Sequence, residues 1–166
     1  NSAVTTGTSV VLSDTVAGQT IRFADNLSTP VLTTTAHGYH LELLGSNTSV
    51  NGNTTLLNTG NVVLGNAATD TLSFAGGLTA TAANTINMGG VISTNNAGIS
   101  LGSTAITLNA NTSLSAGTGA ISLNSTLDSA AGNTQALTIN STGVTTFNNK
   151  VGFVDALASL TTNSGG

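Results

Sequence analysis

The densest grouping of titratable side chains in this sequence is His37-Gly38-Tyr39-His40-Leu41-Glu42. Two imidazoles and a carboxylate are donor types that hold zinc, and on a strand His40 and Glu42 would share a face while His37 reaches in from the preceding turn. A structural zinc site closes its tetrahedron, and no further ligand can be named here. The plainer reading puts Leu41 and Leu43 inward, which turns His40 and Glu42 to solvent. No metal and no cofactor is therefore expected, and His37, His40 and Glu42 stand as the candidate site residues.

The remaining carboxylates, Asp14, Asp25, Asp70, Asp128 and Asp155, are spread singly. Sugar-cleaving chemistry needs two carboxyl groups close together, or a carboxylate beside a base. Stacked coils could align Asp25 with Asp70, but Arg22 and Lys150 are the only cations in the chain, too few to hold an acidic sugar. Turn stabilisation is the expected role of each Asp. The sequence has no G-x-S-x-G elbow, and its nearest approach to a phosphate loop, SAGTGAIS at 115–122, lacks the lysine and reads as a turn between coils. The calcium-binding nonapeptide is also missing. An enzyme is not expected.

Any such side chain must be positioned by the elements that run through the whole chain. Apolar residues recur with period two at Ile21/Phe23, Leu41/Leu43, Val62/Leu64, Leu72/Phe74, Ile86/Met88, Ile99/Leu101, Ile106/Leu108, Ile121/Leu123, Leu137/Ile139 and Val151/Phe153. Each pair predicts a short strand with one face buried, and the Gly, Asn, Ser, Thr and Asp between pairs predict turns. Steps from Ile21 to Leu41, Val62, Ile86 and Ile106 are 20, 21, 24 and 20 residues. A near-constant period of that size signals stacked repeats, with the pairs at Leu72 and Ile99 as further strands of each coil. The expected fold is all-β, a right-handed parallel β-helix (β-solenoid) with coils of about 20–24 residues. Pro30 belongs in a turn, asparagines can ladder between coils, and 151–160 reads as strand rather than helix. The two open ends of such a stack invite end-to-end association.

Composition narrows function by exclusion. Charged residues make up 5% and aromatic residues 3%, while Thr and Asn fill about 50 positions. The core must then be thin layers of aliphatic residues, and the surface must be hydroxyls and amides. A net charge of −4 leaves nothing to neutralise phosphates, so no nucleic-acid partner is expected. No apolar run is long enough for a transmembrane segment. The absence of cysteine and of an initiating Met fits an exported piece of something longer.

The strings GISLGSTAITLNANTSLSAGTGAISLNS, QALTINSTGVTTFNNKVG and SLTTNSGG resemble the shaft repeats of filamentous-haemagglutinin-type adhesins and other giant bacterial β-strand-repeat surface proteins. The likeness covers about residues 60 to 166, which divides the chain into 1–60, divergent β repeats or a cap, and 61–166, β-solenoid repeats. The resemblance implies a right-handed parallel β-helix, secretion to the bacterial cell surface, and service as a rigid spacer or adhesive surface. Its implied partners are neighbouring repeats or other copies, with glycans and host or bacterial surface molecules beyond them. Two alternatives are a subunit of an extracellular filament or surface layer, and an ice-binding solenoid. The second needs the same Thr motif on each coil, whereas Thr33-Thr34-Thr35 and Thr79-Ala80-Thr81 wander relative to the apolar pairs.

Overall fold

In a strand, alternate side chains stand on opposite sides of the pleat, so each apolar pair sends two residues inward and the residue between them outward. Gly, Asn and Ser then bend the chain before the strand can lengthen. The computed structural model, which describes residues 2–13 and 16–163, shows the result: an all-β solenoid of about seven turns, with no helix among the described residues. Strands pair in parallel with their counterparts one coil away.

Each coil visits three faces in a fixed order. The first face carries Thr20–Phe23, His40–Leu43, Val62–Leu64, the opening halves of Thr85–Ser93 and Ala105–Gly117, and Thr126–Ser129, and ends on a bridge from Leu127 to Val151. The second carries Val4–Thr5, Leu27–Thr29, Asn47–Val50, Thr71–Phe74, the closing halves of the same two long strands, Ala136–Ser141 and Ser159–Thr162. The third carries Val10–Leu12, Leu32–Thr34, Thr54–Thr55, Leu78–Ala80, Ile99–Leu101, Ile121–Leu123 and Thr145–Phe147. Between Leu32–Thr34 and Thr54–Thr55 the ladder gives way to side-chain bonding, where Thr34 Oγ1 accepts from the Leu57 N–H at 2.7 Å. Eight levels on the second face span seven strand spacings, about 34 Å.

Register on the first face runs Ile21, Leu41, Val62, Ile86, Ile106, Leu127, Val151, in steps of 20, 21, 24, 20, 21 and 24 residues. The period read from the sequence is thus the vertical register of one face. The pair at Leu72 lies on the second face and the pair at Ile99 on the third. Inside, the columns close into one aliphatic core with Tyr39 and Phe74 as its largest buried side chains. Longer coils put their extra residues into corner loops such as 65–70, leaving the inward columns aligned.

Pro30 sits at the bend between Leu27–Thr29 and Leu32–Thr34. Asparagine ladders form on the outside of the stack: Asn148 Nδ2 donates to Asn124 Oδ1 at 2.8 Å, and Asn124 Nδ2 donates to Ser100 Oγ at 3.1 Å one coil below. The segment SAGTGAIS turns between the second and third faces of a single coil, so it links faces rather than coils. Residues 151–160 differ from the expected strand. Val151 makes a lone bridge, a bend follows, pairing resumes only at Ser159, and Phe153 is 67% exposed. Among the described residues no further coil covers this edge, and Lys150 Nζ lies 3.6 Å from the Phe153 ring centre.

Far-ultraviolet circular dichroism should give a β spectrum with almost no helix. A helix content near the roughly one-third share of ordinary globular proteins would overturn this fold.

Candidate functional site

The sequence cluster at 37–42 is divided by the pleat of its own strand. Tyr39, Leu41 and Leu43 point into the core, and His40 and Glu42 lie half-buried on the outer side. His40 Nδ1 accepts the backbone N–H of Asn61 at 2.8 Å, tying one coil to the next. Glu42 accepts from Arg22 Nε, its register neighbour one coil below. That hydrogen bond, and then the carboxylate charge, raise the guanidinium above its ordinary value, so Arg22 stays charged. His37 is exposed in the turn before the strand, with its carbonyl accepting from Thr59 N–H at 2.9 Å. Among the described residues no three His, Cys, Asp or Glu side chains come together where they could hold a metal ion. What the arrangement supplies is a surface ion pair and hydrogen bonds that tie neighbouring coils together.

Asp25 and Asp70 stabilise turns, whereas Asp128 ties one coil to the next. Asp70 is buried, and its Oδ2 accepts the N–H groups of Asn66 at 2.8 Å and Ala67 at 2.9 Å, folding the 65–70 loop onto itself. Asp25 Oδ1 accepts from Asn26 N–H at 2.7 Å, and Asp128 Oδ1 from Val154 N–H at 2.9 Å. Leu27 pairs with Thr48 and Thr48 with Leu72, so Asp25 and Asp70 fall in one column two coils apart. That is about 9.6 Å of strand spacing, with Ser46 between them. Asp155 contributes its carbonyl to Ser129 N–H at 3.0 Å, and Asp14 lies outside the described residues.

The ordered surface lies on the other two faces. On five consecutive second-face strands a serine stands between inward residues: Ser28, Ser49, Ser73, Ser93 and Ser115 follow one another in register, with Thr5 before them and Asn140 after. On the third face Thr55, Thr79, Ser100, Ser122 and Thr146 form a second column, and Thr33 is the outward middle residue of the strand preceding it. Thr itself does not recur on every coil, since Ser100 and Ser122 stand in the third-face column, but the hydroxyl does. Sequence spacing hid the columns because coil lengths vary, and the corner loops absorb that variation. The signal that finds them is the residue enclosed by each apolar pair: charged or mixed on the first face, Ser on the second, Thr or Ser on the third. Spacing within a column is about 4.8 Å, and alternate outward residues along a strand stand about 6.7 Å apart. Such a grid presents many equivalent hydrogen-bonding groups.

The fold defines the class as a β-solenoid repeat protein. Compared with family models, with curated proteins and with solved structures, the chain gives no match. No helix among the described residues is long and apolar enough to cross a membrane.

Proposed function

We propose that this chain is a structural and adhesive segment of a secreted bacterial-type cell-surface protein, a stiff rod whose hydroxyl faces make many weak contacts. The observation that supports this reading is the pair of in-register hydroxyl columns running along one continuous core. Neutral donors and acceptors repeated at every coil suit glycans or other hydroxyl-rich surfaces, where individually weak contacts gain strength by acting together. Asp70 is engaged in closing its own loop, Asp128 in a bond between coils, and Glu42 in its pair with Arg22.

The same third-face column favours a second reading, an ice-binding face, since Thr33 and Thr79 are each followed two residues later by Thr35 and Thr81. One panel separates these: glycans, hydrolase substrates and growing ice crystals, presented to the wild type, to a His37, His40 and Glu42 triple-Ala variant, and to a Ser49, Ser73 and Ser93 triple-Ala variant. Broad weak glycan binding, kept by the first variant and reduced several-fold in the second, is expected. Turnover lost in the His37, His40 and Glu42 variant would make the protein an enzyme, and ice shaping without glycan binding would favour the second reading.

A further inference from the structure

We infer that the corner between the first and second faces forms a seat for one neutral sugar ring. This rests on the glycan reading above and gives it a defined subsite. Entering the second face, the chain passes through the 65–70 loop before Thr71–Phe74 and through residues 130–135 before Ala136–Ser141. The two coils between them turn the same corner without a loop, inside the long strands Thr85–Ser93 and Ala105–Gly117. Two loops therefore flank two bare turns, and they stand three strand spacings apart, about 14 Å. The recess is an open cleft of about 190 Å³, walled in part by Ala68 of the first loop and by Ala136 just past the second.

The floor of the cleft is apolar and fixed. Gly90, at φ +83°, packs so close to the Asp70 and Ala67 carbonyls that a side chain cannot stand there, which keeps the floor low. Asp70 in turn holds its loop by accepting the N–H groups of Asn66 and Ala67. Beside Gly90, Val91 is 38% exposed and is the one apolar member of an outward column that runs Asn47, Thr71, Val91, Ser113, Thr138, Thr161. Polar groups surround it. Asn111 Oδ1 accepts the Ala136 N–H at 2.9 Å, which holds the amide in place and leaves Nδ2 to donate. Ser113 Oγ accepts from Asn140 Nδ2 at 3.2 Å and keeps its own O–H to donate, and Thr138 adds a hydroxyl that can do both.

The lining selects the occupant. Among the described residues none that line the cleft is charged, so a phosphate, an acidic sugar or a cation finds no counter-charge. The strands beneath are paired on both sides, so an extended peptide finds no open edge to join. The volume lies below the roughly 300–1,000 Å³ that encloses a drug-sized ligand, which leaves room for a single ring of a longer molecule. A neutral pyranose brings an apolar C–H face for Val91 and a rim of hydroxyls for Asn111, Ser113 and Thr138. Two residues further along the strands, about 6.7 Å away, stand Ser93, Ser115 and Asn140. A sugar chain anchored by one ring in the cleft continues over that serine column.

Titration of the ¹⁵N-labelled chain with glucose, galactose, mannose and N-acetylglucosamine, and with linear oligomers of each, tests the inference by nuclear magnetic resonance. For at least one of these sugars the amides of Gly90, Val91 and Ser113 and the Asn111 side-chain amide should move first, and affinity should rise several-fold from the single sugar to the oligomer. Val91→Ser removes the apolar contact and completes the polar column, while Asn111→Asp keeps the acceptor for Ala136 and removes the donor. Each variant should weaken binding at the cleft several-fold with an unchanged β spectrum. Shifts spread evenly along the serine column, and unaffected by either variant, would overturn the cleft and leave the adhesive reading standing. Polygalacturonate moving the cleft amides where neutral sugars do not would overturn the neutral assignment, and no shift with any neutral sugar would overturn the cleft and the glycan reading together.

Discussion

Replacing Ile106 with Asp should lower the melting temperature by more than about 10 °C, whereas Ser122→Asp should shift it by only a degree or two. Ile106 is 1% exposed, with Ile86 and Leu127 as its register neighbours above and below in the core. Removing a fully buried Ile side chain forfeits roughly 1.5–3 kcal/mol, and an unpaired buried carboxylate adds several more. The sum, on the order of 5 kcal/mol, is a large part of the roughly 5–15 kcal/mol that holds a domain together. For a chain of this size each kcal/mol moves the midpoint by about 2–4 °C. Ser122 faces outward between Ser100 and Thr146, where a surface change stays within about 0.5 kcal/mol. Thr107→Asp should fall between the two. Thr107 is outward, but it pairs with Asp128, and like charges facing each other across a ladder cost about 0.2–1 kcal/mol. Thermal unfolding followed by circular dichroism gives the ranking, and equal shifts for Ile106→Asp and Ser122→Asp would show that the assigned inward and outward faces are wrong.

Gly90→Ala should destabilise by roughly 3 kcal/mol or more, well beyond the same substitution at Gly18. Both glycines have positive φ, +83° at Gly90 and +76° at Gly18, so an Ala at either site carries about 1–2 kcal/mol of backbone strain. They differ in their surroundings. A Cβ at Gly90 would sit 2.3 Å from the Asp70 carbonyl oxygen and 2.8 Å from that of Ala67, while nothing lies within 4 Å of the corresponding point at Gly18. The Asp70 carbonyl cannot simply retreat, because it accepts the Val91 N–H at 2.8 Å and belongs to the loop that the Asp70 side chain closes. Coils at this corner therefore have to separate or the loop has to open. Denaturant midpoints of the two variants measure the difference, and equal losses would mean that conformational strain alone, without the close approach of coils, accounts for both.

The inward columns were legible in the residues themselves. Ile106/Leu108 and Ile121/Leu123 each enclose one small polar residue, and that alternation alone sets which side chains meet the core, since a strand repeats every two residues. The vertical step was legible as well, because Ile21, Leu41, Val62, Ile86 and Ile106 are consecutive levels of one face. Phe153 was misread for a physical reason. Alternation predicts burial only where another layer exists to bury against, and beyond the last bridge, Leu127 to Val151, the described residues supply no such layer.

The sequence by itself determined the β class, the aliphatic core, the period near 21 residues and the scarcity of groups that could do acid–base or metal chemistry. These follow from composition and from local alternation, which need no knowledge of distant neighbours. Tertiary structure decided which pairs share a face, and with that, which outward residues stand in line. Ser49 and Ser73 are 24 residues apart and Ser73 and Ser93 only 20, yet both pairs are register neighbours, because the 65–70 loop takes up the difference at a corner. It also separated His37 from His40 and Glu42, and gave Glu42 to Arg22, a residue 20 positions earlier in the chain. A solenoid fixes such contacts through the length of each coil, which is the sum of its strands and loops, and no single window of sequence contains that sum.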